Sequence, residues 1–249
     1  MHTAVQLYSL RRLDRSLPEK LELVARTGLE GVELAGLDDA DPEAVADALE
    51  RTGLEAMAAH VPIEDLEADL EAAVRPYETV GCERIVVPWL DADSFRSRRA
   101  IEETAQRLAT LGKRLTDKGY SCSYHNHTQE FSAIESDVDD QRDAFDVLAG
   151  ALAGTPVTLE LDVGWAHAAG RDPVSLLERY GKQIPLVHLK DVDGDEPCAL
   201  GTSSVPLEAC VDAAQEAGAT WLVYEHDDPS DPERTLERDA ETMVDLLGR

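Results

Sequence analysis

Short runs of β-branched and apolar residues recur along the chain, and a longer segment with helical spacing follows each one. Alternation of this kind specifies parallel strands joined by crossover helices. Strands are expected near 3–8, 31–35, 54–60, 84–89, 120–126, 156–162, 184–190 and 220–225. The helical spacing is clearest at Ile101, Ala105, Leu108, Leu111 and Leu115, which fall three or four residues apart and make one apolar stripe. Leu17, Leu21 and Val24 repeat it early in the chain, and Leu236, Ala240, Met243 and Leu247 near its end. Gly28, Gly53, Gly119 and Gly218 stand just ahead of expected strands, where a left-handed residue closes the preceding helix. Eight such units with short connections predict an α/β fold, one (β/α)8 TIM barrel over residues 1–249 as a single domain. No GxGxxG follows the first strand, so an open doubly wound sheet with a dinucleotide site is not indicated. The longest stretches without periodicity, 127–138 and 191–205, come directly after strands, where barrels carry active-site loops.

Composition narrows the class further. Apolar residues make up 43% of the sequence, yet none of the apolar runs approaches the roughly 18 uninterrupted positions of a membrane span. The N-terminal MHTAVQLYSL has no basic segment followed by an apolar run, so a cytoplasmic location is expected. The formal net charge of −28, from 51 acidic and 23 basic residues, exceeds what solubility asks for. The acids are spread over expected helix faces and loops, as in DDADPEAVAD and EDLEADLEA, which suits a hydrated shell adapted to concentrated salt, a halophilic trait. The same field opposes nucleic acid, and RSRR at 96–99 is the one basic run. Cys82, Cys122, Cys198 and Cys210 form no CxxC pair, so they read as small buried side chains.

Polar residues at the C-terminal ends of barrel strands are the candidates for chemistry, because the interior is otherwise filled by apolar layers. They are Glu33, His60, Trp89, His125 and His127, Asp162, His188 and Lys190, and Glu225, on strands two to eight in order. Four of the six histidines beyond His2 fall at such ends. A lone strand-end acid is often a helix cap and a lone histidine often a core residue, so no single position decides. Asp162, His188 and Glu225 on three successive strands together point to a divalent metal, Mn²⁺ first with Mg²⁺, Co²⁺ or Zn²⁺ as alternatives. Lys190 lies two residues beyond His188 and so faces the barrel interior with it, where an ammonium could stabilise an enediolate oxygen or form an ion pair with Glu33 or Asp162. Trp89 and Trp165 are candidate walls for a sugar, and GTSS at 201–204 is a weak candidate for phosphate contact or simply a turn.

Four ordered stretches, YHNHTQEF (124–131), LDVGWAHAAGRDPV (161–174), VHLKDV (187–192) and VYEHDDPSDP (223–232), resemble the xylose-isomerase-like barrel superfamily of sugar phosphate isomerases and epimerases. GLEGVEL and AAHVP extend the likeness toward the N-terminus. The resemblance implies a metal held by Asp162, His188 and Glu225, with either His125, where many members have Glu, or Glu130 as fourth ligand. It also implies that His60 hydrogen-bonds substrate. Glu33, Trp89, His127 and Trp165 complete the substrate contacts expected, and Glu225, Lys190, His60 and Glu130 the catalytic set. The activity implied is a metal-dependent isomerase or epimerase of a small hydroxycarbonyl compound acting through an enediolate, with Glu225 as base. A lyase or dehydratase acting on a keto-sugar or keto-inositol shares its first step. A non-catalytic sugar-binding barrel is the reading from another class, and the abasic-site endonuclease branch lacks support without a basic face. The expected partner is a small polyhydroxylated molecule, with no nucleic acid or membrane, and a homo-oligomer is left open.

Overall fold

A computed structural model describes residues 1–134 and 142–248. Its strands are His2–Gln6 (β1), Gly31–Leu34 (β2), Glu55–His60 (β3), Arg84–Val87 (β4), Ser121–His125 (β5), Val157–Asp162 (β6), Leu186–Leu189 (β7), Asp191–Asp193 (β8), Glu196–Cys198 (β9) and Trp221–Tyr224 (β10). Eight of them close a parallel barrel in the order β1-β10-β7-β6-β5-β4-β3-β2. Each is followed by a helix: Leu17–Ala25, Pro42–Thr52, Leu70–Thr79, Arg98–Thr116, Ala144–Leu152, Pro173–Tyr180, Leu207–Ala217 and Pro232–Leu247. The eight expected units are therefore present. The stripe Ile101, Ala105, Leu108, Leu111 and Leu115 is buried against the barrel, and Gly28, Gly53, Gly119 and Gly218 all take positive φ.

Local chemistry explains where elements begin and end. Asp41, Ser97, Asp143, Asp172 and Asp231 each accept a backbone N–H at the start of a helix, which gives part of the acidic excess a capping role. The first strand is shorter than expected. The Gln6 side chain accepts from the Tyr8 amide at 3.1 Å and turns Leu7–Leu10 into a 3-10 helix. The stretch 191–205, expected to be irregular, contains the antiparallel pair β8 and β9. In the stretch 127–138, Gln129–Phe131 form one 3-10 turn, and residues 135–138 lie outside the described residues.

Two apolar assemblies hold the fold. The larger lies between barrel and helices. The smaller, Ala4, Met57, Ala58, Val86, Leu186, Trp221 and Val223, plugs the lower barrel interior. Gly31 makes room for that plug, since a Cβ there would stand 2.9 Å from the Trp221 ring and 2.8 Å from the Glu55 carbonyl oxygen. Side chains two residues further along the same strands project into the upper interior, and there the character changes from apolar to ionisable.

Candidate active site

Strand register assembles the upper layer. In it His125 pairs with Glu160, Asp162 with His188, and Gln6 with Glu33. Glu33, Glu160, Asp162, His188 and Lys190 are fully enclosed, and His125 and Glu225 nearly so. Of the four enclosed carboxylates, Asp162 and Glu225 meet the lysine and Glu33 and Glu160 meet histidines, an arrangement that burial penalises heavily unless cations or protons compensate it.

One ring nitrogen, one carboxylate oxygen, a second ring nitrogen and a second carboxylate oxygen, from His125, Asp162, His188 and Glu225, all lie within 4.8 Å of one another. Ligands around a single divalent ion with bonds of about 2.1 Å need only tighten slightly from that spread. The cluster is consistent with a divalent metal, and His60, His125, Glu160 and His188 form an overlapping donor group. His188 links the two. Its Nδ1 is 3.1 Å from Glu225 Oε2, while its Nε2 is 2.7 Å from Glu33 Oε2 and 3.3 Å from Glu160 Oε2. An imidazole that ligates through one nitrogen and leans on a carboxylate through the other is a common way to fix ring orientation at metal centres. Glu33 Oε1 and Glu160 Oε1 are buried acceptors with no hydrogen-bond donor among the described residues, which is a further sign that the layer is built around positive charge.

Electrostatics follow from this crowding. Burial pulls the His60 imidazole down, but Glu33 and Glu160 overcome it and raise the group to about 10. Burial likewise opposes charge on His188, and Glu160 and Glu33 hold it well above the ordinary histidine range. Burial would raise the Glu225 carboxyl, yet Lys190 and His188 keep it well below the usual carboxylate range. Glu225 is therefore an ionised carboxylate. His127 is the opposite case: burial, with His125 and Lys190 beside it, lowers it to about 2 and keeps it neutral.

Each expected residue can now be located. Asp162 does cap a helix, accepting the Trp165 N–H at 2.8 Å, but its other oxygen faces Lys190 at 3.0 Å and His125 at 4.0 Å, so cap and site coexist. Asn126 clamps the Asp162 backbone through its amide at 3.0 Å. The Lys190 ammonium sits 2.8–3.0 Å from Asp227, Glu225 and Asp162 and 4.5 Å from the Trp165 ring centre, and its stem passes so close to Gly164 that a Cβ there would meet it at 2.8 Å. Its ion pair is with Asp162 and not, as the alternative reading allowed, with Glu33. His60 bonds Glu160 at 3.0 Å, and with His127, Trp89 and Glu225 it lines an open cavity of about 820 Å³ above the layer. Trp89 lies just past β4 and is 53% exposed at the cavity mouth. Trp165 stacks near His127, with ring centres 6.2 Å apart.

Two expectations meet a different arrangement. Glu33 is fully buried beneath the cavity, held by Gln6 at 2.9 Å and by His188, so it supports a donor residue instead of facing the opening. Glu130 is not brought to either donor group. Its oxygens take the Tyr124 hydroxyl and the His127 amide N–H, and burial pushes its carboxyl up to about 7 against those two hydrogen bonds. Sequence reasoning also missed Glu160, Asp227 and Gln6. The signal for Glu160 was available, because it precedes Asp162 by two residues and the alternation that pairs His188 with Lys190 applies equally to β6.

A family model described as the xylose isomerase-like TIM barrel matches residues 21–246. An inosose dehydratase of Clostridium beijerinckii is 28% identical over 121 residues, 43% of this chain and 38% of that protein. An inosose dehydratase of Clostridium botulinum is 24% identical over 199 residues, 72% of this chain and 64% of that protein. Both matches span less than two thirds of the relative's length. Among solved structures, a sugar phosphate isomerase/epimerase from Parabacteroides distasonis superposes with a TM-score of 0.85 at 19% identity, covering 99% of this chain and 93% of that one. A likeness at that identity speaks for the fold alone. Among the described residues no helix is long and apolar enough to cross a membrane.

Proposed function

The chain belongs to the xylose isomerase-like TIM barrel family, and from that premise we propose that it is a divalent-metal-dependent isomerase or epimerase of a small polyhydroxylated carbonyl compound. The observation that carries this reading is the convergence of His125, Asp162, His188 and Glu225 beneath an open cavity. Those four would hold the ion. A divalent cation there supplies Lewis-acid polarisation of a carbonyl and its neighbouring hydroxyl. Glu225, ionised and lining the cavity, takes the proton from the carbon α to the carbonyl. The Lys190 ammonium, enclosed among Asp162, Glu225 and Asp227, positions Glu225 and keeps it ionised. His60 faces the same cavity and hydrogen-bonds or protonates the substrate, with its ring held in place by Glu160 and Glu33. Trp89 and Trp165 orient the carbon skeleton.

A second reading is a dehydratase, in which the same α-proton leaves and a β-hydroxyl is expelled. It is favoured by the inosose dehydratases among the sequence relatives. The test common to both is incubation of Mn²⁺-loaded protein with ketoses and keto-inositols in deuterated water. Deuterium uptake at carbon is expected for either, and product analysis separates isomer from dehydrated product. Absence of uptake with every compound, in protein that carries its ion, overturns both.

A further inference from the structure

We propose that the cavity over the donor cluster takes the uncharged form of a polyhydroxylated carbonyl compound and discriminates against its phosphate monoester. This deepens the reading above and rests on it. The acids in the described lining are Asp65, Asp69, Glu225 and Asp227, and the cationic His60 imidazole beside them is paired with Glu160 and Glu33. Carboxylates accept strong hydrogen bonds from hydroxyl donors, whereas a phosphate monoester brings about −1.5 to −2 charges and acceptors only.

Among the described residues, the cations around the cavity are already engaged by carboxylates or carbonyls. The turn after β9 is the nearest thing to an anion cradle, and it holds Asp191: Ser203 N–H donates to one carboxylate oxygen at 3.0 Å and Val205 N–H to the other at 3.4 Å. The adjacent Ser204 hydroxyl bonds His167 at 3.0 Å. Lys190 is enclosed among Asp162, Glu225 and Asp227. Arg11 donates to the Tyr8 and Asp227 carbonyls and lies on the Tyr8 ring, 3.9 Å from its centre. Arg171 pairs with Asp143 and Asp146. His60 faces the cavity, but its Nε2 is already between Glu160 at 3.0 Å and Glu33 at 3.3 Å. A net charge of −28 extends the same sign over the whole molecule.

What the mouth does offer is apolar and aromatic. Trp89 and Tyr8 are exposed there at 53% and 42%, and Ala72, Ala73 and Pro88 continue the wall. Such a surface suits the C–H face of a polyol, with its hydroxyls directed to the carboxylates.

The experiment uses two pairs of probes, D-fructose with D-fructose 6-phosphate and D-ribulose with D-ribulose 5-phosphate, on the Mn²⁺-loaded protein. Deuterium uptake and calorimetric binding are both read. The uncharged member of each pair should exchange or bind at least about tenfold better, the ratio that 1.4 kcal/mol gives. Asp65→Lys, at the exposed rim, should narrow that ratio by improving binding of the phosphate, and the improvement should fade in molar KCl. Equal or better handling of the phosphorylated members overturns the substrate class while leaving proton abstraction standing. If none of the four probes exchanges or binds, this inference is overturned, whereas the proposed function falls only when the keto-inositols also show no deuterium uptake.

Discussion

Two layers of the same barrel differ in almost every respect although the same strands build them. On β7 the lower layer receives Leu186 and the upper His188, and from Trp221 and Val223 on β10 the chain runs to Glu225, one residue past the strand. The lower layer is stabilised by removal of apolar surface from water, about 25 cal/mol per Å², and asks nothing of solvent or ligand. The upper layer encloses four carboxylates with one lysine and the histidines around it, and among the described residues Glu33 Oε1 and Glu160 Oε1 have no donor. Its ion pairs contribute little net stability in a medium where desolvation offsets attraction. Height along a strand thus separates the part of the barrel that holds the fold from the part arranged for chemistry.

That separation can be broken in several ways. Glu225→Gln should cut turnover and solvent-proton exchange by about 10²–10⁴-fold while the melting temperature changes little, provided metal content is matched in the same preparation. Parental exchange in a metal-replete variant would move the base elsewhere, to His60 first. Trp221→Ala, in the plug, should do the reverse. It should cost about 3–5 kcal/mol by denaturant unfolding and leave the affinity for Mn²⁺ within about twofold. A large loss of ion affinity in that variant would mean that the layers are coupled.

Adding Mn²⁺ at 100 times its dissociation constant should stabilise the parent by about 2.7 kcal/mol, an increment that survives in Trp221→Ala and disappears in Asp162→Asn. Chelator should reverse it. The metal-free protein should also respond to pH through His60. His60 is raised from 6.5 to about 10 in the folded state, so its contribution is fully present below pH 6.5 and is lost as pH rises through 10. His60→Gln should flatten that decline, and an unchanged slope would show that the His60 contacts with Glu160 and Glu33 are not what sets it. The smallest effect expected is a rise in melting temperature from low to molar KCl, since salt screens the surface share of the net charge of −28 and reaches neither inner layer. No change with salt would remove the halophilic reading.

The amino-acid sequence by itself determined the number of units, the hand-over from strand to helix, and the glycines that close the helices. Those depend on neighbours within a few residues, where side-chain period and backbone freedom act directly. It also identified Asp162, His188 and Glu225 as strand-end candidates, because a closed parallel barrel brings all such ends to one rim. Only the tertiary structure decided what each side chain meets there. Glu33 passes below the cavity because strand register sets it against Gln6 and His188. Glu130 is drawn aside by the Tyr124 hydroxyl and the His127 amide. Glu160 enters the cluster through its pairing with His125 across β5 and β6. Glu130 is held by partners only three and six residues away, but the placements of Glu33 and Glu160 turn on contacts between residues 27 to 155 positions apart. Local pattern carries no information at that range, whereas packing of the closed barrel fixes it.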